Sequence, residues 1–330
     1  MSQERRGTYW DAGHNWALIL AGGEGTRLQS LTRMASGIAV PKQFCSLGHS
    51  GSLLHDAVTR ASLVTSPERI TVAVSEHHRR WWQSLDLRIP ARNLISQPSN
   101  RGTTHGILLP LLRILHWDPE ASLLVLPSDH YVSNELVLAA SLREAMSDVI
   151  RTPEGILLLG MTADEADPEL GYIVAESAAD VSAVREFIEK PDAATARELI
   201  ARGGVWNSFI FAANGQSLLR RFEQSCPDLV DEMRHIVASV PASAQMPRLA
   251  EVYARSPTID FSRDILQRSI DLLRVLRVPA CGWSDLGTPH RVIETVQRMK
   301  AQASALASGH ADPSAFLNLA GRTPAMYATW

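Results

Sequence analysis

The sequence has few cysteines, no long apolar run and no excess of basic residues. Its 330 residues include three cysteines, Cys45, Cys226 and Cys281, which are widely spaced and form no CxxC pair. This spacing indicates neither a disulfide framework nor a zinc site. No stretch reaches the roughly 18 to 20 consecutive apolar residues that cross a bilayer, and the formal net charge of −3 gives no basic surface for nucleic acid. We therefore expect neither a membrane nor a nucleic acid as a partner.

The first fifteen residues show no sign of a targeting segment. They are polar and lack the apolar centre of a secretory signal peptide. The cytoplasm is therefore the expected location. Nothing in the sequence decides the oligomeric state, and a homodimer is one option.

Two common phosphate-binding fingerprints are also absent. Gly22, Gly23 and Gly25 come close to the dinucleotide-binding pattern GxGxxG, but Leu28 occupies the position of its third glycine. The P-loop pattern GxxxxGK[ST] does not occur around them. These glycines therefore indicate neither a dinucleotide-dependent oxidoreductase nor a P-loop NTPase.

What the sequence does contain is the composition of a globular enzyme. It is 45% hydrophobic and 20% charged, which is ordinary for a protein with a large core. Short apolar segments alternate with segments of helical periodicity, a pattern that predicts an α/β fold with a doubly wound, mainly parallel mixed sheet. We divide the chain into an N-terminal arm (1–15), a catalytic domain (16–290) and a C-terminal helix and tail (291–330).

The glycine-rich segment near the start is the first candidate site. Residues 17–21 are apolar and read as a buried strand, and the glycines follow at once. Glycines at the end of a strand allow a tight turn and a close approach of backbone amides to a ligand. Arg27 lies just beyond them, and Lys42 closes the segment after Pro41. Backbone amides and two cations together suit a polyphosphate.

Two aspartates occupy positions that suit a metal ion. Asp129 directly follows a predicted buried strand, residues 121–126, and Asp285 lies in a turn rich in glycine and proline. Ligands of doubly wound sheets bind beyond the carboxyl ends of the strands, and Mg²⁺ takes oxygen ligands that it shares with phosphates. Each aspartate could equally be a turn residue or the N-cap of a following helix.

A third group of polar residues comes from the second half of the chain. Glu189 and Lys190 lie at the end of a predicted strand, residues 184–189, and precede Pro191. Asn207 lies in another predicted strand. On the residues alone, Glu189 and Lys190 could form a plain surface ion pair at a turn.

Six motifs in order resemble those of the sugar-phosphate nucleotidyltransferases. GGEGTRL at 22–28 followed by PKQF at 41–44 is the most specific, and PKQF is most similar to the mannose-1-phosphate guanylyltransferase branch. PSDH and GWSDLGTP resemble the two metal-aspartate motifs, FIEKP resembles FxEKP, and WNS resembles WNSG. The resemblance covers roughly residues 16 to 290. It implies a Rossmann-like, glycosyltransferase-A-like nucleotidyltransferase fold with a small C-terminal helical extension.

The resemblance also implies a reaction and a set of site residues. A nucleotidyl group would pass from GTP or another NTP to a hexose 1-phosphate, with mannose 1-phosphate and GDP-mannose as the expected acceptor and product. The implied catalytic residues are Arg27, Lys42 and Lys190, and the implied Mg²⁺ ligands are Asp129 and Asp285. The implied nucleotide-binding residues are Leu20, Ala21, Gly22, Gly23, Gly25, Thr26, Gln97, Arg101, Gly102, Thr103 and Asp129. The implied sugar-phosphate-binding residues are Gly171, Glu189, Lys190, Asn207 and Asp260, where Asp260 could also be a plain turn residue.

Several departures from the family pattern keep alternatives open. Ser30 replaces a proline, residues 36–39 lengthen the loop before Lys42, and Phe209 replaces the glycine of WNSG. Gln97 begins a base-recognition loop that has glutamate more often in the guanylyl branch. The alternatives are another nucleotide or sugar for the same reaction, and a catalytically silent relative that binds a nucleotide sugar and regulates a partner.

Overall fold

The computed structural model describes residues 13–34, 36–48 and 51–307. Most of the predicted N-terminal arm and the predicted tail beyond residue 307 lie outside the described residues. None of the helices in these ranges combines the length and the apolar composition that a bilayer crossing requires.

A mixed β-sheet runs through the described part of the chain. Its nine strands are β1 (Asn15–Ala21), β2 (Ile70–Ser75), β3 (Leu94–Gln97), β4 (Ser122–Pro127), β5 (Ile156–Thr162), β6 (Gly171–Ala175), β7 (Val181–Ile188), β8 (Val205–Asn214) and β9 (Leu273–Arg277). The spatial order is β3-β2-β1-β4-β8-β5-β9-β7-β6, and β8 also pairs with β6.

Parallel pairing is concentrated on one side of this sheet. β1 lies parallel to both β2 and β4, and β2 lies parallel to β3. β5 and β9 form a further parallel pair, whereas β8 runs antiparallel to β4, β5 and β6. β7 is antiparallel to β6 and β9. The predicted mixed α/β sheet is confirmed, with its parallel character carried by the first four strands and the β5–β9 pair.

Helices cover both faces of the sheet. Their bounds are α1 (Leu53–Ser62), α2 (Arg79–Trp82), α3 (Thr103–Trp117), α4 (Glu135–Arg151), α5 (Ala193–Ala201), α6 (Gly215–Ser225), α7 (Pro227–Ser239), α8 (Ala242–Arg255) and α9 (Pro289–Ala307). One core contains side chains of α1, α4 and α5, and the other contains side chains of α3, α6, α7 and α8. β1, β2 and β4 are buried on both faces, which explains why they read as largely apolar runs.

Three regions depart from the simple pattern of the sequence. Two helices contain an internal proline, Pro110 in α3 and Pro247 in α8. Residues 261–272, most of which fit a helix or a strand equally well by sequence, form short π and 3₁₀ turns. α9 begins at Pro289, so the helix spans the predicted boundary between 290 and 291. The division into domains stays a prediction.

Candidate active site

The glycine loop directly follows β1 at the carboxyl edge of the parallel strands. Gly25 has φ 60 and ψ 29, the left-handed conformation that glycine adopts without strain. The side-chain amide of Gln43 donates to the carbonyl of Ala21 (2.9 Å) and to that of Gly23 (3.0 Å). A Cβ on Gly22 would lie 2.9 Å from Nε2 of Gln97. The loop is therefore held in place by side chains from two other segments.

Lys42 joins the three segments that carry the predicted phosphate and metal residues. Its side chain is only 7% exposed, and Nζ lies 3.0 Å from Oδ2 of Asp129. The same amine donates to the carbonyl oxygens of Asp285 (2.5 Å) and Leu286 (3.3 Å). The structure thus brings Lys42, Asp129 and Asp285 together, although they are far apart in the sequence.

The two aspartates are not helix caps. Asn134 caps α4, where its side chain accepts a hydrogen bond from the backbone N–H of Val137 (3.2 Å). Thr288 accepts from the backbone N–H of Arg291 (3.3 Å) at the start of α9. Capping is therefore not the role of Asp129 or Asp285.

The surroundings of Asp129 keep it ionised. Burial favours its neutral form, but the charge and hydrogen bond of Lys42, with smaller contributions from His130 and a backbone hydrogen bond, together hold the pKa of the carboxyl below its usual value. Burial lowers the pKa of the neighbouring His130 to about 4. His130 is therefore neutral near pH 7, and its Nδ1 faces the indole N–H of Trp283 at 3.2 Å.

The donor atoms of Asp129 and Asp285 fit a magnesium ion. Carboxylate oxygens are the ligands that Mg²⁺ prefers, and it commonly takes one or two of them and fills its shell with waters and phosphate oxygens. Asp129 is one-third exposed at the side chain, so it remains open to a ligand. No cluster of three or more metal-binding side chains occurs within the described ranges.

A cavity of about 170 Å³ has Asp285 and His130, the neighbour of Asp129, in its wall. Six predicted site residues contribute to its wall: Arg27, Gly171, Glu189, Lys190, Asn207 and Asp285. Residues that were not predicted to bind a ligand complete it, namely His130, Glu169, Leu170, Ser208, Phe209 and Trp283. Residues of the glycine loop, of β8, of the segment after β7 and of the segment before α9 therefore share one cavity.

Arg27 is paired across the mouth of this cavity with Glu169. Nη1 of Arg27 lies 2.9 Å from Oε2 of Glu169, and the two side chains are 50% and 47% exposed. Exposed ion pairs contribute only about 0 to 1 kcal/mol. An anionic ligand can therefore displace Glu169 from Arg27 at little cost.

Glu189 is the strongly perturbed acid of the cavity. Burial raises the pKa of its carboxyl to about 7, with a further contribution from the charge of Asp260. Its Oε2 is buried without a hydrogen-bond partner, and a Cβ on Gly171 would lie 2.5 Å from that oxygen. Only glycine at position 171 leaves room for this carboxyl, whose free oxygen can accept a hydrogen bond from a ligand hydroxyl.

The raised pKa of Glu189 predicts a pH-dependent contribution to stability. Because the folded state holds the proton above the ordinary pKa of 4.5 and loses it near 7, its contribution is present at low pH and disappears as pH rises through 7. Glu189→Gln should therefore reduce the fall in unfolding free energy between about pH 5 and about pH 8, by on the order of 3 kcal/mol. Urea unfolding at both pH values measures this, and an equal fall in both proteins would contradict it.

Backbone strain is concentrated at this site. Four described non-glycine residues have positive φ, and three of them are Lys190 (φ 51), Phe209 (φ 58) and Leu286 (φ 50). Lys190 and Phe209 line the cavity, and the carbonyl of Leu286 accepts from Lys42. Such conformations persist where the surrounding structure enforces them, and they are common at functional sites.

The predicted base-recognition residues form a separate group behind the glycine loop. Gln97 is buried beside Gly22, and its Oε1 accepts from the hydroxyl of Tyr253 at 3.2 Å. Gly102 has φ 88, and a Cβ there would lie 2.4 Å from the carbonyl of Ile259. The guanidinium of Arg101 donates to the carbonyl of Ala254 (3.3 Å). Arg101 therefore contacts α8 in this structure.

Thr103 and Asp260 also make structural contacts. Thr103 accepts a hydrogen bond at Oγ1 from the backbone N–H of Phe261 (2.8 Å). Asp260 caps the turn Phe261–Ile265, with its Oδ1 2.9 Å from the N–H of Arg263. Asp260 thus has the turn role that was one of its two predicted roles, while its charge also reaches Glu189.

Arg291 is the main site residue that the sequence did not reveal. Its side chain, 7% exposed, lies 3.4 Å from Oδ1 of Asp285, 3.0 Å from Oδ2 of Asp167 and 2.9 Å from Oε1 of Glu165. The guanidinium also lies over the ring of Trp206, 4.5 Å from its centroid. A single arginine in an amphipathic helix gives no sequence signal for such contacts, and the predicted domain boundary even placed it outside the catalytic domain.

Removing the Arg291 guanidinium should destabilise the protein. Arg291→Met leaves two carboxylates, Asp285 and Asp167, largely buried without their partner, and breaking such pairs costs about 3 to 5 kcal/mol. Arg298→Met on the same helix is the matched control, because its ion pair with Glu294 (3.5 Å) is half exposed and contributes at most about 1 kcal/mol. Unfolding in urea compares the two. Equal losses would show that the buried contacts of Arg291 do not stabilise the site.

Comparison with known proteins gives the class to which this fold and site belong. The family model described as nucleotidyl transferase matches residues 16–302. The chain belongs to the nucleotidyl transferase family.

Individual relatives and solved structures show which proteins the chain is similar to. The chain is similar to the xanthan biosynthesis protein XanB of Xanthomonas campestris pv. campestris (strain B100), at 30% identity over 275 residues, which are 82% of this chain and 57% of that protein. It is 27% identical to the mannose-1-phosphate guanylyltransferase of Escherichia coli K12 over 284 residues, 83% of this chain and 58% of that one. A crystal structure from Thermus thermophilus, described as a mannose-1-phosphate geranyltransferase, has a TM-score of 0.69 and 26% identity, covering 83% of this chain and 76% of that one.

The curated relatives are longer than the matched region. This chain spans slightly more than half of their length, 57% of XanB and 58% of the E. coli enzyme. What those whole proteins do is therefore carried over to this chain only as a proposal.

Proposed function

We propose that this chain transfers a nucleotidyl group from GTP to mannose 1-phosphate, which gives GDP-mannose and pyrophosphate. The family match and the relatives named for mannose-1-phosphate guanylyltransferase support the reaction class. The observation that carries the proposal is the junction of Lys42 with Asp129 and Asp285 beside the cavity that holds Lys190. Cations and carboxylates for two phosphate groups meet there.

The proposed chemistry needs alignment and neutralisation of charge. A phosphate oxygen of the sugar phosphate attacks the α-phosphorus of the NTP, the new P–O bond forms as the bond to pyrophosphate breaks, and pyrophosphate leaves. Because the attacking oxygen is already anionic, no general base is required. Positioning and electrostatic stabilisation then account for most of the rate.

Each cation at the site has a distinct proposed role. Lys190, just past the end of β7, holds the phosphate of the sugar substrate. Arg27, once released from Glu169, stabilises the leaving pyrophosphate together with amides of the glycine loop. Lys42 neutralises nucleotide phosphates from the other side and keeps Asp129 ionised. A Mg²⁺ ion held by Asp129 and Asp285 would supply further neutralisation of the α-phosphate.

The sugar side of the cavity has polar groups for hydroxyls. Glu189 and Asn207 face Gly171, whose missing side chain brings its backbone within reach of a ring substituent. Oδ1 of Asn207 accepts from the N–H of Phe209 (3.1 Å), which fixes the direction of the amide. Its Nδ2 is thereby directed to the carboxyl of Glu189, to which Asn207 is hydrogen-bonded, and the two side chains together offer polar groups to a sugar hydroxyl.

The nucleotide base and the particular sugar are the finer parts of the proposal. The second candidate is the same reaction with another NTP, and the observation that favours it is the side chain at position 97. In the structure Oε1 of Gln97 accepts from Tyr253, so Nε2 is the end that faces Gly22. A donor there pairs with an acceptor on the base, whereas the glutamate that is more common in the guanylyl branch would accept from the N–H groups of guanine.

A matrix of substrates tests the proposal. Pyrophosphate release should be measured with each of the four NTPs against several hexose 1-phosphates, with and without Mg²⁺. The proposal expects the highest kcat/KM for GTP with mannose 1-phosphate and almost no rate without the cation. Turnover of a different pair of substrates would support the proposed reaction and change its proposed substrates. Absence of turnover with every pair would favour the catalytically silent relative.

Two further parts of the sequence analysis stay predictions. These are the cytoplasmic location and the option of a homodimer.

A further inference from the structure

Phe209 lies where strand β8 changes its neighbour in the sheet. Asn207 of β8 pairs with Gly171 in β6, and Phe211 pairs with Val125 in β4. Against β5, Asn207 is opposite Gly160 and Phe211 is opposite Leu158. Three residues, 208–210, therefore face a single residue of β5, and the strand bulges at Phe209. Bulges of this kind redirect a side chain.

The bulge holds Phe209 in a conformation that suits glycine. Its φ of 58 is in the left-handed region, where a side chain with a Cβ is strained. Neighbouring side chains enforce it: Asn207 Oδ1 accepts from the N–H of Phe209 (3.1 Å), and Ser208 Oγ donates to the carbonyl of Leu159 (2.7 Å). Ser208 Oγ also accepts from the N–H of Ile210 (3.2 Å). The glycine that the family motif has here would adopt this backbone without strain.

The ring of Phe209 contacts two other phenylalanine rings and packs against the core that contains α3, α6, α7 and α8. Its centroid lies 6.2 Å from that of Phe261 and 6.3 Å from that of Phe211, both in edge contacts. Phe209 is only partly buried and lines the 170 Å³ cavity beside Asn207 and Ser208. The aromatic cluster thus fixes the position of the ring of a residue that lines the sugar side of the cavity.

We propose that Phe209 is a specificity-determining residue for the acceptor. The inference rests on the proposed function and names the class of sugar phosphate that the site takes. The ring narrows the pocket beside Asn207, so the site accepts a hexose 1-phosphate with small ring substituents and rejects one that carries an N-acyl group. A glycine at this position would leave that space open.

Two substitutions separate the ring from the backbone strain. Phe209→Ala removes the ring and keeps a Cβ in the left-handed conformation, and Phe209→Gly removes both. Each should raise the ratio of kcat/KM for N-acetylglucosamine 1-phosphate to kcat/KM for mannose 1-phosphate by about tenfold or more, the scale on which a pocket rejects excess bulk. The KM for the NTP should stay unchanged, and Phe209→Gly should have the higher Tm of the two.

Phe211→Leu is the matched control. Phe211 is buried in the same aromatic cluster, stacked on Phe261 at 5.1 Å, and lies outside the wall of the cavity. Phe211→Leu should lower Tm and leave the ratio of the kcat/KM values for the two acceptors unchanged. If the Phe209 variants behave like Phe211→Leu, the ring is only structural and the inference is overturned. A wild-type enzyme that uses the N-acetylated acceptor as well as mannose 1-phosphate would overturn it too.

Different results would contradict this inference and the proposed function. Wild-type turnover of any hexose 1-phosphate with an unchanged acceptor ratio in the Phe209 variants removes only the role of Phe209. Absence of wild-type turnover with every acceptor removes the proposed function, and the inference with it.

Discussion

Lys42→Met is expected to lower kcat for nucleotidyl transfer by about 10²- to 10³-fold, the loss typical of removing one preorganised charge stabiliser. The reason is the position of Nζ, which is almost completely buried. It forms an ion pair with Asp129 and donates hydrogen bonds to the carbonyls of Asp285 and Leu286. Loss of the amine removes a charge from the phosphates and also raises the pKa of Asp129, since the charge of Lys42 is the largest of the influences that lower that pKa. Initial rates of pyrophosphate release measure the change.

The control for this variant is Lys300→Met. Lys300 is an exposed lysine of α9, so its replacement changes the net charge equally and should leave kcat unchanged. Circular dichroism and Tm would confirm that Lys42→Met is folded. A folded Lys42→Met enzyme with nearly wild-type kcat would show that the amine serves structure alone.

Lys190→Ala is expected to lower kcat/KM for the sugar phosphate by roughly a hundredfold, which corresponds to an electrostatic loss on the order of 3 kcal/mol. The KM for the NTP should change little, because Lys190 lies on the side of the cavity formed by Glu189 and Asn207. Steady-state kinetics with each substrate varied in turn separates the two effects.

Arg185→Ala, in the strand that leads to Lys190, is the matched control. Arg185 is exposed and donates to the carbonyl of Glu176 at 3.2 Å, away from the cavity. It should have wild-type kinetics for both substrates. Unchanged kinetics for the sugar phosphate in Lys190→Ala would exclude its role in holding that phosphate.

The positions of strand ends explain why much of the site was predictable. A short stretch of sequence is enough to recognise a buried strand followed by glycines. The same holds for Asp129 after its strand and for Lys190 before a proline. Parallel strands bring their carboxyl ends to one edge, so residues at those ends were expected to meet. Gln97 at the end of β3 lies beside Gly22 after β1, which agrees with that expectation. Lys190 follows β7, which is antiparallel to its neighbours, so this rule does not explain why it reaches the cavity.

Other features depend on contacts that no local pattern encodes. Arg291 reaches Asp167 and Glu165 only because the segment between β5 and β6 folds against the start of α9. Tyr253 reaches Gln97 from α8, a helix that was not among the predicted elements. The sequence shows that Phe209 replaces the glycine of the family motif. The bulge and the positive φ of Phe209 could not be predicted, because they arise from the pairing of β8 with three other strands.

The geometry also helps to decide whether the protein is an enzyme or a catalytically silent relative that only binds a nucleotide sugar. The cations and carboxylates are not merely present in the sequence: Lys42 contacts Asp129 and the backbone of Asp285, and Lys190 faces the same cavity. A protein that only binds a nucleotide sugar gains nothing from a lysine that keeps a carboxylate ionised beside the phosphate site. This arrangement favours catalysis.

The central claim is that one cavity joins an NTP to a sugar phosphate. Phosphorus NMR of the full chain with GTP, mannose 1-phosphate and Mg²⁺ tests it most directly. We expect pyrophosphate and a nucleotide-sugar diphosphate to appear in equal amounts as both substrates disappear, and neither product to form in Lys42→Met on the same time scale. Release of inorganic phosphate alone, or unchanged spectra across all NTP and hexose 1-phosphate pairs, would contradict the claim.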